Sequence, residues 1–167
     1  VLHVMFFSLA IQGATINIRA LGATGDGKTD DTEAFRTAIK RLKRPEVGKL
    51  VIPTGRYRIT STLTAQLMSR VVIEGEGRDS MIFWDGEPGG TLWKTFGGIF
   101  IEIRDLSFAG LPPKSKEKEE RAGILFQARS VRGGNMNNRF SNVLFQQADV
   151  GVQMGGENRQ EMCNADY

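Results

Sequence analysis

A short internal repeat places the strongest constraint on this chain. Ile103-Arg104-Asp105-Leu106-Ser107-Phe108 aligns with Phe140-Ser141-Asn142-Val143-Leu144-Phe145, 37 positions later. Each copy runs apolar, polar, Asp or Asn, apolar, any, Phe. Ile101 and Ile103 share one parity and Leu106 and Phe108 the other. A straight strand would send the two pairs to opposite faces. A corner at Arg104-Asp105 lets both point inward, with Asn142 at the equivalent corner, and Asp and Asn tolerate the left-handed backbone such a corner needs. Between the copies lies 112–121, a block too charged for a core and read as a looped-out insertion. Without it the period is about 27, the size of one solenoid coil, which would stack Phe108, Phe126, Phe140 and Phe145 in inward rows.

The rest of the chain agrees with one helix followed by many short strands. Ile16, Ile18 and Ala20 alternate with polar residues over 15–21, which predicts a strand. Gly22-Ala23-Thr24-Gly25-Asp26-Gly27 then supplies turn chemistry. Asp30 with Glu33 has the spacing of a capping box, and Ala34, Phe35, Ala38, Ile39 and Leu42 form one apolar helical face, predicting a helix over 31–43. Lys40, Arg41, Lys43 and Arg44 suit its C-terminal dipole, and Pro45 ends it. Beyond Gly48, strands are expected at 49–52, 57–59, 71–74, 81–84, 99–103, 106–108, 124–126, 140–145 and 150–154.

Composition narrows the function classes. Hydrophobic residues make up 40% and charged residues 25% of 167, which predicts an ordered core. The net charge of +3 is compatible with an acidic polymer as partner. No basic stripe with interleaved aromatics appears, which argues against nucleic acid. Cys163 is the lone cysteine and His3 the lone histidine, so neither a disulfide framework nor a cysteine-rich zinc site is expected, and no metal ligand set is identified. Val1 to Leu9 is largely apolar but too short to span a bilayer, so no transmembrane segment is expected. Ser8-Leu9-Ala10 places small residues at the −3 and −1 positions of a cleavage site after Ala10. Residues 1–14 are therefore expected to be a signal-peptide remnant, with an ordinary buried first strand as the alternative, and the protein secreted or surface-exposed.

Two motifs carry a family resemblance. Ile16-Asn17-Ile18 followed by Leu21-Gly22-Ala23-Thr24-Gly25-Asp26-Gly27-Lys28-Thr29-Asp30-Asp31-Thr32 resembles the opening signature of the pectate-lyase superfamily. That group includes rhamnogalacturonase-like, polygalacturonase-like and epimerase-like members and related viral tailspikes. Leu50-Val51-Ile52-Pro53-Thr54-Gly55-Arg56-Tyr57-Arg58-Ile59 is similar to its next signature, and Ile73-Glu74-Gly75-Glu76-Gly77 to a third, looser one. Leu21 departs from the aromatic residue often found there. The resemblance implies a right-handed, single-stranded parallel β-helix with an N-terminal capping α-helix, residues 15–167 forming the N-terminal portion of a longer domain. Capping is physically needed, because an open solenoid end exposes unpaired strand edges. Gly22, Gly25 and Gly27 are read as turn formers, and Asp26, Asp30 and Asp31 as cap and turn residues, not catalytic ones. An EF-hand is a poor alternative, because the ligand ladder and the terminal Glu are missing.

The resemblance implies a polysaccharide lyase or glycoside hydrolase acting on acidic, pectin-like glycans, with Ca²⁺ as a cofactor if a lyase. A non-catalytic glycan-binding or tailspike-like module is the alternative. Hydrolysis needs two carboxyl groups flanking the bond, and a lyase needs a base with charge stabilisation. The residues identify neither set, and the active site is expected beyond this segment. Asn164-Ala165-Asp166 is superficially similar to an Asn-x-Asp hydrolase motif, which makes Asp166 the one catalytic candidate. Tyr57, Trp84 and Trp93 could stack on sugars but read better as core. Asn135, Asn137, Asn138 and Asn142 read as turn and corner residues, and 114–121 as a solvated loop.

Overall fold

The structure, a computed structural model, describes residues 13–43, 47–111, 121–129 and 137–155. The chain winds into stacked coils whose strands form three parallel ladders. The first ladder stacks β1 (Ala14–Asn17), β3 (Val47–Ile52), β6 (Ser69–Gly75) and the first half of β9 (Ile99–Ala109), then β11 (Arg139–Gln146). The second stacks β2 (Asp26–Asp30), β4 (Gly55–Ile59), β7 (Ser80–Trp84) and the second halves of β9 and β11. The third stacks β5 (Leu63–Gln66), β8 (Thr91–Phe96), β10 (Ile124–Arg129) and β12 (Val150–Met154). All pairings are parallel, so each coil hydrogen-bonds only to its neighbours, and the architecture is a parallel β-helix.

The repeat is seen directly in the register. Ile103 pairs with Phe140, Leu106 with Val143 and Phe108 with Phe145. The corner lies where the parity breaks: Asp105 and Asn142 have φ of 55° and 52°, and Asn142 Nδ2 donates to Asp105 Oδ1 at 2.8 Å. The segments expected at 99–103 and 106–108 are therefore one strand, β9, bent at Asp105. Ile101, Ile103, Leu106 and Phe108 are all buried, as the corner allows.

An aromatic column fills the interior. Phe35 meets Tyr57 and Trp93 edge-on, Trp93 lies 6.3 Å from Phe126, and Phe108 stacks on Phe145 at 5.3 Å and 8°. Phe140 joins Phe126 at 5.1 Å and Phe145 at 5.6 Å. Helix α1 (Thr32–Leu42) lays Ala34, Phe35, Ala38, Ile39 and Leu42 over the first coils and closes that end of the core. Offset and edge-to-face rings of this kind contribute beyond area burial alone.

Several local expectations are corrected. The strand expected at 15–21 ends at Asn17, and a 3₁₀ turn follows over Ile18–Leu21 because the Asn17 side chain accepts from the Arg19 amide. Part of the expected turn at 22–27 runs into strand β2, which pairs Asp26 and Asp30 with Arg56 and Arg58. The helix starts at Thr32, and its capping box does not form: Glu33 pairs with Arg36 instead. Strands β5 and β8 were not expected; Ala65 and Gln66 are poor strand formers, and coil stacking overrides that preference. Residues 1–12 of the expected signal segment, most of the insertion, Asn135 and Asp166 lie outside the described residues, and Ala14 of that segment opens β1. No helix among the described residues is long and apolar enough to cross a membrane.

Candidate functional site

Each ladder presents an outer face, and the three differ in charge. On the first, Glu74 lies between Lys49 Nζ and Arg104 Nη2, both at 2.7 Å, and Arg104 also reaches Glu102 at 3.3 Å. Hydrogen bonds from Lys49 and Arg104 hold the Glu74 carboxyl below its usual range, and Glu74 in turn raises the Arg104 guanidinium. These charges neutralise one another along the coil stack. An ionised, doubly paired carboxylate is poorly suited to act as a general acid near neutral pH.

The second face is also mixed. Asp26 accepts from the Lys28 and Thr29 amides, both at 2.8 Å, and those amides together with the Thr29 hydroxyl lower its pKa to about 2. Asp30 accepts from Thr32 N at 3.0 Å and Thr60 Oγ1 at 2.7 Å; burial pushes its pKa up, but the hydrogen bonds outweigh burial and lower it. Asp31 turns from the helix and accepts from Thr24 N at 2.8 Å and Gly25 N at 3.2 Å, while burial raises its pKa. Gly22, Gly25 and Gly27 have positive φ, and a Cβ at Gly25 would lie 2.8 Å from the Tyr57 ring. Arg58 pairs with Asp85.

The third face differs in kind. Its strands bury Leu63 and Ala65, Trp93 and Thr95, Phe126 and Ala128; of the alternate positions, Leu92 and Leu125 are buried as well, and the later ones face out. The in-register outward rows are Thr64, Lys94, Gln127 and Gln153, and beside them Gln66, Phe96 and Arg129. Gln127 Nε2 donates to Gln153 Oε1, and the Arg129 guanidinium lies 5.9 Å over the Phe96 ring. No carboxylate stands among these outward positions. Indeed 60–73, 88–101 and 122–148 contain no Asp or Glu at all. Acidic groups such as Asp85, Glu87 and Asp149 lie at the corner where this ladder begins, where Asp149 pairs with Arg121. Stacking thus builds a cationic, amide-rich strip with one aromatic ring, suited to a polyanion with hydroxyl groups.

Tyr57, Trp84 and Trp93, read as core residues, lie in the core at 0%, 3% and 0% exposure, so no sugar can stack on them. Asn137 and Asn142 occupy left-handed corner positions, and Asn138 Oδ1 accepts from Ile101 N at 3.2 Å. Sequence reading missed Lys94, Phe96, Gln127 and Arg129. The acid-free stretches were the available signal, but only coil closure puts them on one face.

Catalytic chemistry is not assembled among the described residues. Glu74 and Glu102, the carboxylates of the first face, are both engaged by Arg104. No group of three or more His, Cys, Asp or Glu that could hold a metal occurs among the described residues. These residues do not fit a Ca²⁺ site, and no step is assigned to such an ion.

Comparison with known proteins places this geometry. Residues 15–84 match the family described as rhamnogalacturonase A/epimerase, pectate lyase-like. Alginate lyase 7 of Azotobacter vinelandii is 33% identical over 86 residues, 46% of this chain but 10% of that protein. A pre-neck appendage protein of Bacillus phage B103 is 35% identical over 77 residues, 45% of this chain and 8% of its own length. The chain thus matches only about a tenth of these relatives. Among solved structures, a mannuronan C-5 epimerase A-module of Azotobacter vinelandii superposes with a TM-score of 0.59 at 18% identity, covering 84% of this chain and 42% of that one. Residues 15–84 thus match a pectate lyase-like family, and the stacked parallel coils share the fold of that epimerase module.

Proposed function

We propose that the chain is the capped N-terminal region of a secreted, polysaccharide-degrading β-helix enzyme, a lyase or hydrolase of acidic glycans. The observation that carries the reading is the third face, where no carboxylate stands among the described outward positions and Lys94 and Arg129 share in-register rows with Gln127 and Gln66. A polyanionic chain laid across the coils would meet cations and hydrogen-bond donors there, without the repulsion that the paired carboxylates elsewhere would offer. The alginate lyase and epimerase relatives support the substrate class. Fold alone does not fix chemistry, so the reaction type rests on them. In this reading the described coils bind and align the polymer, and bond cleavage takes place outside the described residues.

The test is incubation of the purified protein, expressed from its complete gene, with alginate, polygalacturonate and rhamnogalacturonan over a range of pH and Ca²⁺. Products absorbing in the ultraviolet would mark a lyase, and new reducing ends without that absorbance a hydrolase. A Lys94→Glu, Arg129→Glu pair should weaken binding of the acidic polymers. Equal binding by that variant would defeat the assignment of the face. The same expression experiment should release a product beginning near Ile11, and recovery of uncleaved cytoplasmic protein would overturn secretion.

The phage appendage relative favours a second reading, a glycan-binding tailspike-like module. It predicts binding to at least one acidic glycan with no cleavage of any substrate in the panel.

A further inference from the structure

The corner that joins the third ladder to the first carries an unusual backbone. Arg70, Phe100 and Asn137 have φ of 55°, 55° and 52°. They stack in successive coils: the pairs Ser69–Ile99 and Val71–Ile101 bracket Arg70 and Phe100, and the Arg139–Glu102 register brings Asn137 alongside. Asparagine tolerates this region, but for a bulky residue such as phenylalanine it is an outlier.

Burial does not compensate that strain at Phe100. Its side chain is 50% exposed, whereas the rings of the aromatic column are packed inside. Among the described residues Phe100 stacks on no other ring, and Arg70 is exposed and makes no ion pair. The corner continues directly from the cationic third face, whose last outward residues are Phe96 and Arg129. A strained, exposed ring beside an unpaired guanidinium and an amide is a feature to be explained by function.

We infer that Phe100 and Arg70 form a sugar subsite at this corner, an inference that rests on the acidic-glycan reading above. The Phe100 ring offers a platform for the C–H face of a pyranose. Arg70, one coil away at the strand spacing of about 4.8 Å, meets the carboxylate or sulfate of the same or the next sugar. Asn137 offers donor and acceptor groups to hydroxyls on the other side.

The test uses the full chain and the variants Phe100→Gly, Phe100→Asn and Arg70→Asn, all compatible with positive φ. Binding of alginate and polygalacturonate oligomers is measured by calorimetry against a neutral dextran oligomer, beside thermal melting. The subsite predicts that each Phe100 variant binds about tenfold more weakly, with a melting temperature equal to or above that of the parent. Arg70→Asn should weaken binding and reduce its salt dependence. If the parent binds the acidic oligomers and both Phe100 variants bind equally well, the subsite is wrong and the acidic-glycan reading stands. If the parent binds no acidic oligomer, or favours dextran, both fail. If both Phe100 variants melt lower as they lose affinity, the ring is structural and the subsite is overturned.

Discussion

Replacing Phe108 by alanine should cut the aromatic column at its centre. Phe108 is fully buried, with ring centroids 5.3 Å from Phe145, 6.3 Å from Phe126 and 6.5 Å from Trp93. A buried Phe→Ala change costs about 3–5 kcal/mol through lost transfer energy and the cavity left behind. Three ring partners on three different strands place this site toward the upper end, about 4–5 kcal/mol. That is a large fraction of a total stability of about 5–15 kcal/mol. Because coils couple mainly to their neighbours, the damage should centre on β9, β10 and β11 and spare the helix-capped end. Trp93 is a built-in reporter, since its ring meets Phe108 edge-on at 82°. Urea denaturation followed by Trp93 emission, in a Trp84→Phe background, measures the loss, and hydrogen exchange locates it. A loss below about 1 kcal/mol, or exchange rising as much in α1 as in β11, would refute the column as the axis of the core.

Three further outcomes follow from the same packing. Gly75→Ala would put a Cβ 2.2 Å from the Asp105 carbonyl oxygen and 2.8 Å from Leu106 and Ser80; backbone cannot yield as a side chain can, so a loss of about 3 kcal/mol is expected, and an unchanged melting temperature would contradict it. Asn142→Ala removes the 2.8 Å bond to Asp105 and places alanine at φ 52°; about 1–2 kcal/mol should be lost, with Asn142→Gly recovering the backbone share in the same melts. The Asp26 pKa is depressed from 3.8 to about 2 by the Thr29 and Lys28 amides, so its contribution is present above pH 3.8 and is lost as pH falls through about 2. Asp31 has the opposite sign, because burial raises its pKa and its contribution declines as pH rises above 3.8. Melting against pH should therefore lose part of its acid limb in Asp26→Asn and steepen there in Asp31→Asn; parallel curves for parent and both variants would reject these assignments.

What the amino-acid sequence determined by itself was local. The parity break at Asp105 and Asn142 was legible because a corner needs a left-handed residue at one position, whatever lies elsewhere in the chain. That alone set the register of Ile103 on Phe140 and Phe108 on Phe145. The apolar face of α1 was legible from its spacing, for the same reason. The helix start was not, since Asp31 is drawn away by the Thr24 and Gly25 amides, partners outside the helix. Strand β5 was hidden because its stability comes from β8 in the next coil, where Leu63 pairs with Trp93. The cationic strip belongs wholly to the tertiary structure. Lys94 and Gln127 become neighbours only when a coil closes, and coil length varies with the insertions between strands. Side-chain alternation tells which residues point out, but chain closure decides which of them share a face.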